Sequence, residues 1–292
     1  MTVAVAEARA KVNLHLHVVG RRPDGYHLLD SLVAFAGVGD TVEVRAGRGL
    51  SLSVEGPMAD GLAGEGDNLV LKAARALADG LGRPPDLAIR LVKRLPVASG
   101  IGGGSADAAA TLRAAAALWD LPPGAPVLAR VAPPLGADVP VCLLGRAVNM
   151  GGVGEVLDPA PVLPRAWMVL VNPGVACPTP AVFRARTGLF SAPDPLVEAP
   201  PNVAALGAAL GRRRNDLTAA AVTLLPVVAE VLERLDALDG CRIARMSGSG
   251  ATCFALFDDE DAARRAAATL GGAHPGWWTA ACPLLSDANA ER

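Results

Sequence analysis

The stretch Pro96-Val97-Ala98-Ser99-Gly100-Ile101-Gly102-Gly103-Gly104-Ser105-Ala106-Asp107, running on into Ala108-Ala109-Ala110-Thr111-Leu112, decides how this chain is read. A glycine cluster opens a strongly helix-forming alanine run. Each missing Cβ lets backbone N–H groups approach a ligand and permits turns with positive φ. The helix behind it presents its first unpaired N–H groups and the positive end of its dipole. Together these features make an anion site, and for a loop of this size the anion is a phosphate chain. A tight turn that binds nothing is the competing reading, and it suits one or two glycines rather than four between Gly100 and Gly104.

Two familiar phosphate loops are excluded by inspection. Walker A requires a lysine after its last glycine, and no lysine follows Lys93. The dinucleotide pattern G-x-G-x-x-G fails because Ser105 stands at its last position. The loop is therefore of another nucleotide-phosphate type.

Working outward, 292 residues make one large domain or two of ordinary size, and 51% hydrophobic residues supply a sizeable core. A formal net charge of -2 argues against a nucleic-acid partner. The run Arg212-Arg213-Arg214 reads as a solvated patch or a local anion contact. No apolar run is long enough to span a membrane, and charged Glu7, Arg9 and Lys11 interrupt the N-terminal apolar stretch, so no signal peptide is expected. Five scattered cysteines without a C-x-x-C pair read as reduced thiols in a cytoplasmic protein, packed as small core residues.

Only three basic residues are lysines (Lys11, Lys72, Lys93), and Tyr26 is the only tyrosine. In a composition so biased to Ala, Gly, Arg and Pro, a retained lysine or tyrosine points to a position needing a compact ammonium or a phenol. Residues 10–19 alternate with period two, placing Val12, Leu14, Leu16 and Val18 on one strand face and Lys11, Asn13, His15 and His17 on the other. Solvent is the default neighbour of such a polar face. Two histidines at i and i+2 can hold a metal, but no cysteine or carboxylate is spaced beside them, so no metal centre is expected. A Pro23-Asp24-Gly25 turn then presents Tyr26 and His27. Asp138 stands alone in the apolar, Gly/Pro-bounded Leu135–Val141, as a functional carboxylate or a helix cap. A second Gly/Ser loop, Ser247-Gly248-Ser249-Gly250, precedes an apolar strand.

In this order the clusters resemble the GHMP superfamily of small-molecule kinases. Its loop pattern P-x-x-[SAG]-G-[LI]-G-[GS]-[GS]-[SA] is matched from Pro96 to Ser105. Ala10-Lys11-Val12-Asn13, Asp24-Gly25-Tyr26-His27, Leu135 to Pro140 and Met246 to Ala251 resemble the subfamily that phosphorylates a cytidine-diphosphate-linked methylerythritol. Asp107 departs from the neutral Ser or Asn common there, which touches a secondary nucleotide contact. Homoserine- or mevalonate-type kinases, which lack the Gly25-Tyr26-His27 turn, and a non-catalytic nucleotide-binding module are the alternatives; retention of both Lys11 and Asp138 argues against the latter.

The resemblance implies an α/β (α+β), two-domain fold: a ribosomal-protein-S5-like N-terminal domain over 1–160 and a ferredoxin-like C-terminal domain over 161–292, broken in the Pro-rich Asp158–Pro164. It implies ATP held by the amides of Ser99 to Ser105, with Asn68 near the adenine. Asp138 would be the general base, with Lys11 beside it and Asn13 near the transferred group. Tyr26 and Phe183 would stack on the cytosine and His27 would hydrogen-bond it. Mg²⁺ is expected with ATP, with Ser105 and Asp138 as neighbours rather than a dedicated cage. Independently of the resemblance, residues 65–80 and 105–119 read as helices, 166–172 as a strand, 216–238 as helical with an interruption at Pro226, and 191–202 as a surface loop.

Overall fold

The computed structural model describes residues 2–62 and 68–289. In chain order it has β1 (Val3–Asn13), β2 (His17–Arg21), β3 (His27–Ala46), β4 (Ser51–Glu55), α1 (Leu69–Gly80), β5 (Leu87–Val92), α2 (Gly103–Leu118), α3 (Pro126–Val131), α4 (Val139–Leu144), β6 (Val148–Gly152) and β7 (Val156–Pro159). There follow β8 (Trp167–Asn172), α5 (Thr179–Ala185), α6 (Val203–Gly211), α7 (Thr218–Leu224), α8 (Val227–Asp236), β9 (Ile243–Met246), β10 (Cys253–Phe257), α9 (Glu260–Ala273) and β11 (Trp278–Leu285). Two compact units result. One takes the chain up to Ala10, Gly39–Val97 and Gly102–Gly145; the other takes Lys11–Val38, Ala98–Ile101 and the chain from Arg146 on. The Pro-rich Asp158–Pro164 stretch thus lies inside the second unit.

In the first unit β4 runs parallel to β5, and β5 runs antiparallel to the Thr41–Ala46 half of β3. Alternating burial along β5, with Leu87, Ile89 and Leu91 inward, is the period-two pattern of a half-buried strand. The α2 helix is half alanine and is buried on most of its circumference, including Ala108, Ala109, Ala110, Ala114 and Ala115. A helix apolar all round belongs inside a fold. Small side chains let α1 pack closely through Val70, Ala73, Ala74 and Leu77. The helix expected over 65–80 begins at Leu69, with Asn68 as its N-cap; residues 65–67 of that expectation lie outside the described residues.

In the second unit β8 pairs antiparallel with both β10 and β11, and β10 with β9, around a core that includes Val169, Val171, Phe257, Val231 and Leu270. The expected interruption at Pro226 is present: α7 ends at Leu224 and α8 starts at Val227, because proline offers no N–H to continue the ladder. The strand expected to run unbroken through residues 10–19 is instead two strands. Leu14 to Leu16 leaves the ladder because its polar backbone groups are claimed elsewhere: Leu16 N–H donates to Arg214 O, and Asp216 N–H to Leu16 O. The Arg245 guanidinium donates to Leu14 O. Four of the five cysteines are buried, and all five are free thiols. Among the described residues no helix is long and apolar enough to cross a membrane.

Candidate active site

Gly102 is the N-cap of α2, held at φ 64° in the left-handed region, and it has no side chain with which to cap. The first helical bond runs from Ala106 N–H to Gly102 O. The N–H groups of Gly103, Gly104 and Ser105 therefore head the helix without an intrahelical acceptor. A ring of donors with the positive dipole end behind them matches phosphate oxygens.

The middle of the loop, Ala98–Ile101, is pinned through its carbonyls. Thr252 N–H donates to Ser99 O at 3.1 Å, the Ser247 hydroxyl to Gly100 O at 3.1 Å, and Lys11 N–H to Ile101 O at 3.0 Å. Gly100 lies at φ +77°, and a Cβ there would stand 2.6 Å from Gly250 O. Gly248, at φ +56°, would put its Cβ 2.7 Å from Gly100 O. The second Gly/Ser loop therefore exists to let two backbones touch. The carbonyls of Ser99, Gly100 and Ile101 are thus all bonded to the protein.

The polar row that runs from β1 into β2 is not solvent-facing: Lys11, Asn13, His15 and His17 are all buried. Asn13 organises it. Its N–H donates to Ser247 Oγ, its Nδ2 donates to Ser31 Oγ at 2.8 Å, and its Oδ1 accepts from Lys11 Nζ at 3.0 Å. This hydrogen bond to the Asn13 amide oxygen orients the buried Lys11 ammonium. Asn215, which no sequence signal singled out, ties the second loop down through Nδ2 to Met246 O and Gly248 O.

In the first unit Asp138 precedes α4 at the N-cap position, half-buried, yet its side chain makes no capping hydrogen bond. The cap alternative is therefore not what occupies this carboxylate. Asn68, by contrast, accepts the Val70 N–H on its Oδ1 at 2.9 Å and so caps α1.

Lys93, which sequence alone could not separate from a surface lysine, is 2% exposed. Its Nζ donates to Asp107 at 2.7 Å and to Asp40, whose other oxygen accepts from the N–H groups of Arg94 and Leu95. Burial pushes the Asp107 carboxyl up to about 7, Asp40 adds to the rise, and Lys93 opposes it. The same burial works against the Lys93 ammonium, but Asp107 and Asp40 outweigh it and its pKa rises. This cluster braces the base of α2 where the phosphate loop ends. Lys93→Met should leave two buried carboxylates face to face and cost about 3–5 kcal/mol in denaturant unfolding. Asp107→Asn should cost far less, and its effect should vary with pH. The folded-state pKa lies above the unfolded value, so the Asp107 contribution is complete below about pH 4 and is lost as pH rises through about 7. The Asn variant should therefore gain on the parent between those limits, and a pH-independent difference would overturn the charge reading.

The structure joins His27 to Phe183, their rings stacked with centroids 4.9 Å apart at 27°. Tyr26 is 66% exposed at the turn, its N–H bonded to Asp24. Burial, then Arg21 and Arg186, lower the His27 pKa and keep the ring neutral near pH 7.

Asp30 corrects the expectation that no carboxylate accompanies His15 and His17. It comes from β3, with its Oδ2 3.2 Å from His17 Nδ1 and 3.7 Å from His15 Nε2. Three such ligands could hold an ion, but Arg214 N–H donates to His17 Nε2. The ring proton is then assigned to Nδ1, pointed at Asp30, where a metal would need a lone pair. Asp30 also accepts from Asp194 N–H, fastening the 191–202 loop. Burial raises the Asp30 pKa, but the facing histidines and that N–H outweigh it and bring the pKa well below the usual range. The arrangement is a structural hydrogen-bond network. Arg213 departs from the expected solvated patch as well: it is buried and donates to Asp194 and Ala209 O.

Residues 68–146 match the GHMP kinases N terminal domain and residues 197–275 the GHMP kinases C terminal model. The chain belongs to the GHMP kinase family. Within that family it is 60% identical over 286 residues to the 4-diphosphocytidyl-2-C-methyl-D-erythritol kinase of Paramagnetospirillum magneticum, covering 98% of this chain and 100% of that one. It is 54% identical to the protein of the same name from Rhodospirillum rubrum, covering 97% and 93% of the two chains. A crystal structure of 4-(cytidine 5'-diphospho)-2C-methyl-D-erythritol kinase superposes with a TM-score of 0.79 at 39% identity over 96% of this chain and 99% of the other. A homoserine kinase from Cytophaga hutchinsonii shares the fold, with a TM-score of 0.71 at 18% identity over 99% and 96%.

Proposed function

We propose that this protein transfers the γ-phosphoryl group of ATP to the 2-hydroxyl of 4-diphosphocytidyl-2-C-methyl-D-erythritol, giving the 2-phosphate and ADP in isoprenoid precursor biosynthesis. The observation that carries the reading is the pinned loop with the free amide ring of Gly103, Gly104 and Ser105 at the head of α2. Full-length similarity to kinases of that name supports the acceptor.

Phosphoryl transfer asks a protein for position and charge stabilisation more than for covalent chemistry. The α2 amides hold the donor phosphates, with Asn68 toward the adenine. Asp138 takes the proton of the attacking hydroxyl. The Lys11 ammonium, held by Asn13, stabilises the charge developing on the transferred group. The Ser105 hydroxyl and the Asp138 carboxylate are hard oxygen donors of the kind Mg²⁺ accepts, and the ion would otherwise be held by phosphate oxygens and water. Its chemistry is to neutralise the phosphate oxygens. Neutral His27, backed by Phe183, offers one nitrogen as donor and one as acceptor to the cytosine edge, and Tyr26 lies against the base.

The test is ADP release against a panel of alcohols with and without a cytidine diphosphate group. Turnover confined to the cytidine-bearing acceptor is expected; equal turnover of homoserine or mevalonate would overturn the assignment. Tyr26→Ala should raise the acceptor KM by the worth of one base–aromatic stack, roughly 1–3 kcal/mol, and leave the ATP constant near its starting value. A rise in the ATP constant alone would move Tyr26 to the donor site.

A further inference from the structure

Two arginines beside the His27–Phe183 stack have no role in the mechanism above. Arg21 ends β2 and is the cross-strand partner of His27 in the β2–β3 ladder, so both side chains leave the same face. Arg186 follows Phe183 by three residues and is the C-cap of α5, where the backbone has turned extended. One arginine is thus paired across the ladder with His27, and the other follows Phe183 closely in the chain. Both lie close enough to His27 to lower its affinity for a proton.

Neither cation is neutralised by the protein. Among the described residues Arg21 and Arg186 make no ion pair, whereas their neighbours Arg22, Arg213 and Arg214 are each paired with an aspartate. Arg21 donates Nε to Gly25 O, leaving its terminal nitrogens unspent. Arg186 donates its terminal nitrogens to Gly188 O and Leu189 O and lies over Phe190, 5.2 Å from the ring. Its Nε is buried without any hydrogen-bond partner. Two uncompensated guanidiniums on a surface with a net negative chain charge repel one another and attract a multivalent anion.

We propose that Arg21 and Arg186 form the diphosphate-reading part of the acceptor site and so select a nucleoside diphosphate over a bare nucleoside. The planar fork of arginine pairs with phosphate oxygens in two-point contacts that a lysine ammonium cannot copy. The partly covered Arg186 binds in surroundings where charge attraction is less screened than in open water. This assignment rests on the reading of His27, Phe183 and Tyr26 as the base site.

The experiment is calorimetric titration of the full chain with cytidine and with CDP, with the donor loop saturated by a non-hydrolysable ATP analogue. The same titrations are run on Arg21→Gln, Arg186→Gln and the double variant, each checked for an unchanged melting temperature. CDP should bind the parent well above cytidine. Each single variant should lose about tenfold in CDP affinity, the range for one charge-assisted contact. The double variant should approach the affinity for cytidine, which should itself be unaltered, and the salt dependence of CDP binding should flatten. Arg186→Lys should recover only part of the loss. Unchanged CDP affinity in the double variant, with cytidine still bound, overturns the diphosphate assignment alone. Failure of the parent to bind cytidine or CDP overturns the base site itself.

Discussion

Asp138→Asn is expected to lower turnover by about two to four orders of magnitude, the range for a lost general base. The structure makes this substitution a clean one. The carboxylate heads α4 without making a capping hydrogen bond that the substitution would remove. The asparagine amide has nearly the same shape and can still hydrogen-bond, but it cannot accept the hydroxyl proton. Calorimetric ATP affinity should therefore stay close to that of the parent while single-turnover ADP release collapses. Turnover within a few-fold of the parent would show that the acceptor hydroxyl loses its proton elsewhere.

Gly104→Val carries the second large effect. A Cβ at Gly103 would stand 3.2 Å from Lys93 Nζ and press on the Lys93–Asp107 cluster, so a branched residue there tests folding together with binding. A Cβ at Gly104 meets nothing within 4 Å. Valine fits the helix at that position and fills only the space in front of the amide ring. Loss of one or two charge-assisted amide contacts corresponds to a fall in ATP affinity on the order of a hundredfold, with an unchanged melting temperature. Calorimetry showing undiminished ATP binding would mean that the phosphates lie elsewhere.

Local chemistry made much of this protein legible before any coordinates. The glycine loop, the alanine helix behind it, the break at Pro226 and the thiol character of the cysteines all follow from what single residues allow their own backbone or side chain to do. Such properties act over a few residues, and so they survive being read along a line. The lone carboxylate at Asp138 and the lone tyrosine at Tyr26 stood out by composition alone.

Pairing over long separations was not legible. The second Gly/Ser loop looked like a hairpin signal until Gly100 and Gly248 were seen to share backbone contact. The row Lys11, Asn13, His15 and His17 looked solvated because period two assigns residues to a face but cannot say what covers it. Lys93, Asp40 and Asp107 are separated by up to 67 positions, and each alone resembles a surface charge. Burial and opposite charge acting together turn them into one brace, and desolvation depends on every neighbour at once. The sequence by itself therefore determined the phosphate loop, its helix and the family of the chain. Tertiary structure alone decided which polar residues are buried, which carbonyls the loop gives up, and which guanidiniums are left unpaired beside the aromatic stack, because each depends on atoms brought together by folding from distant parts of the chain.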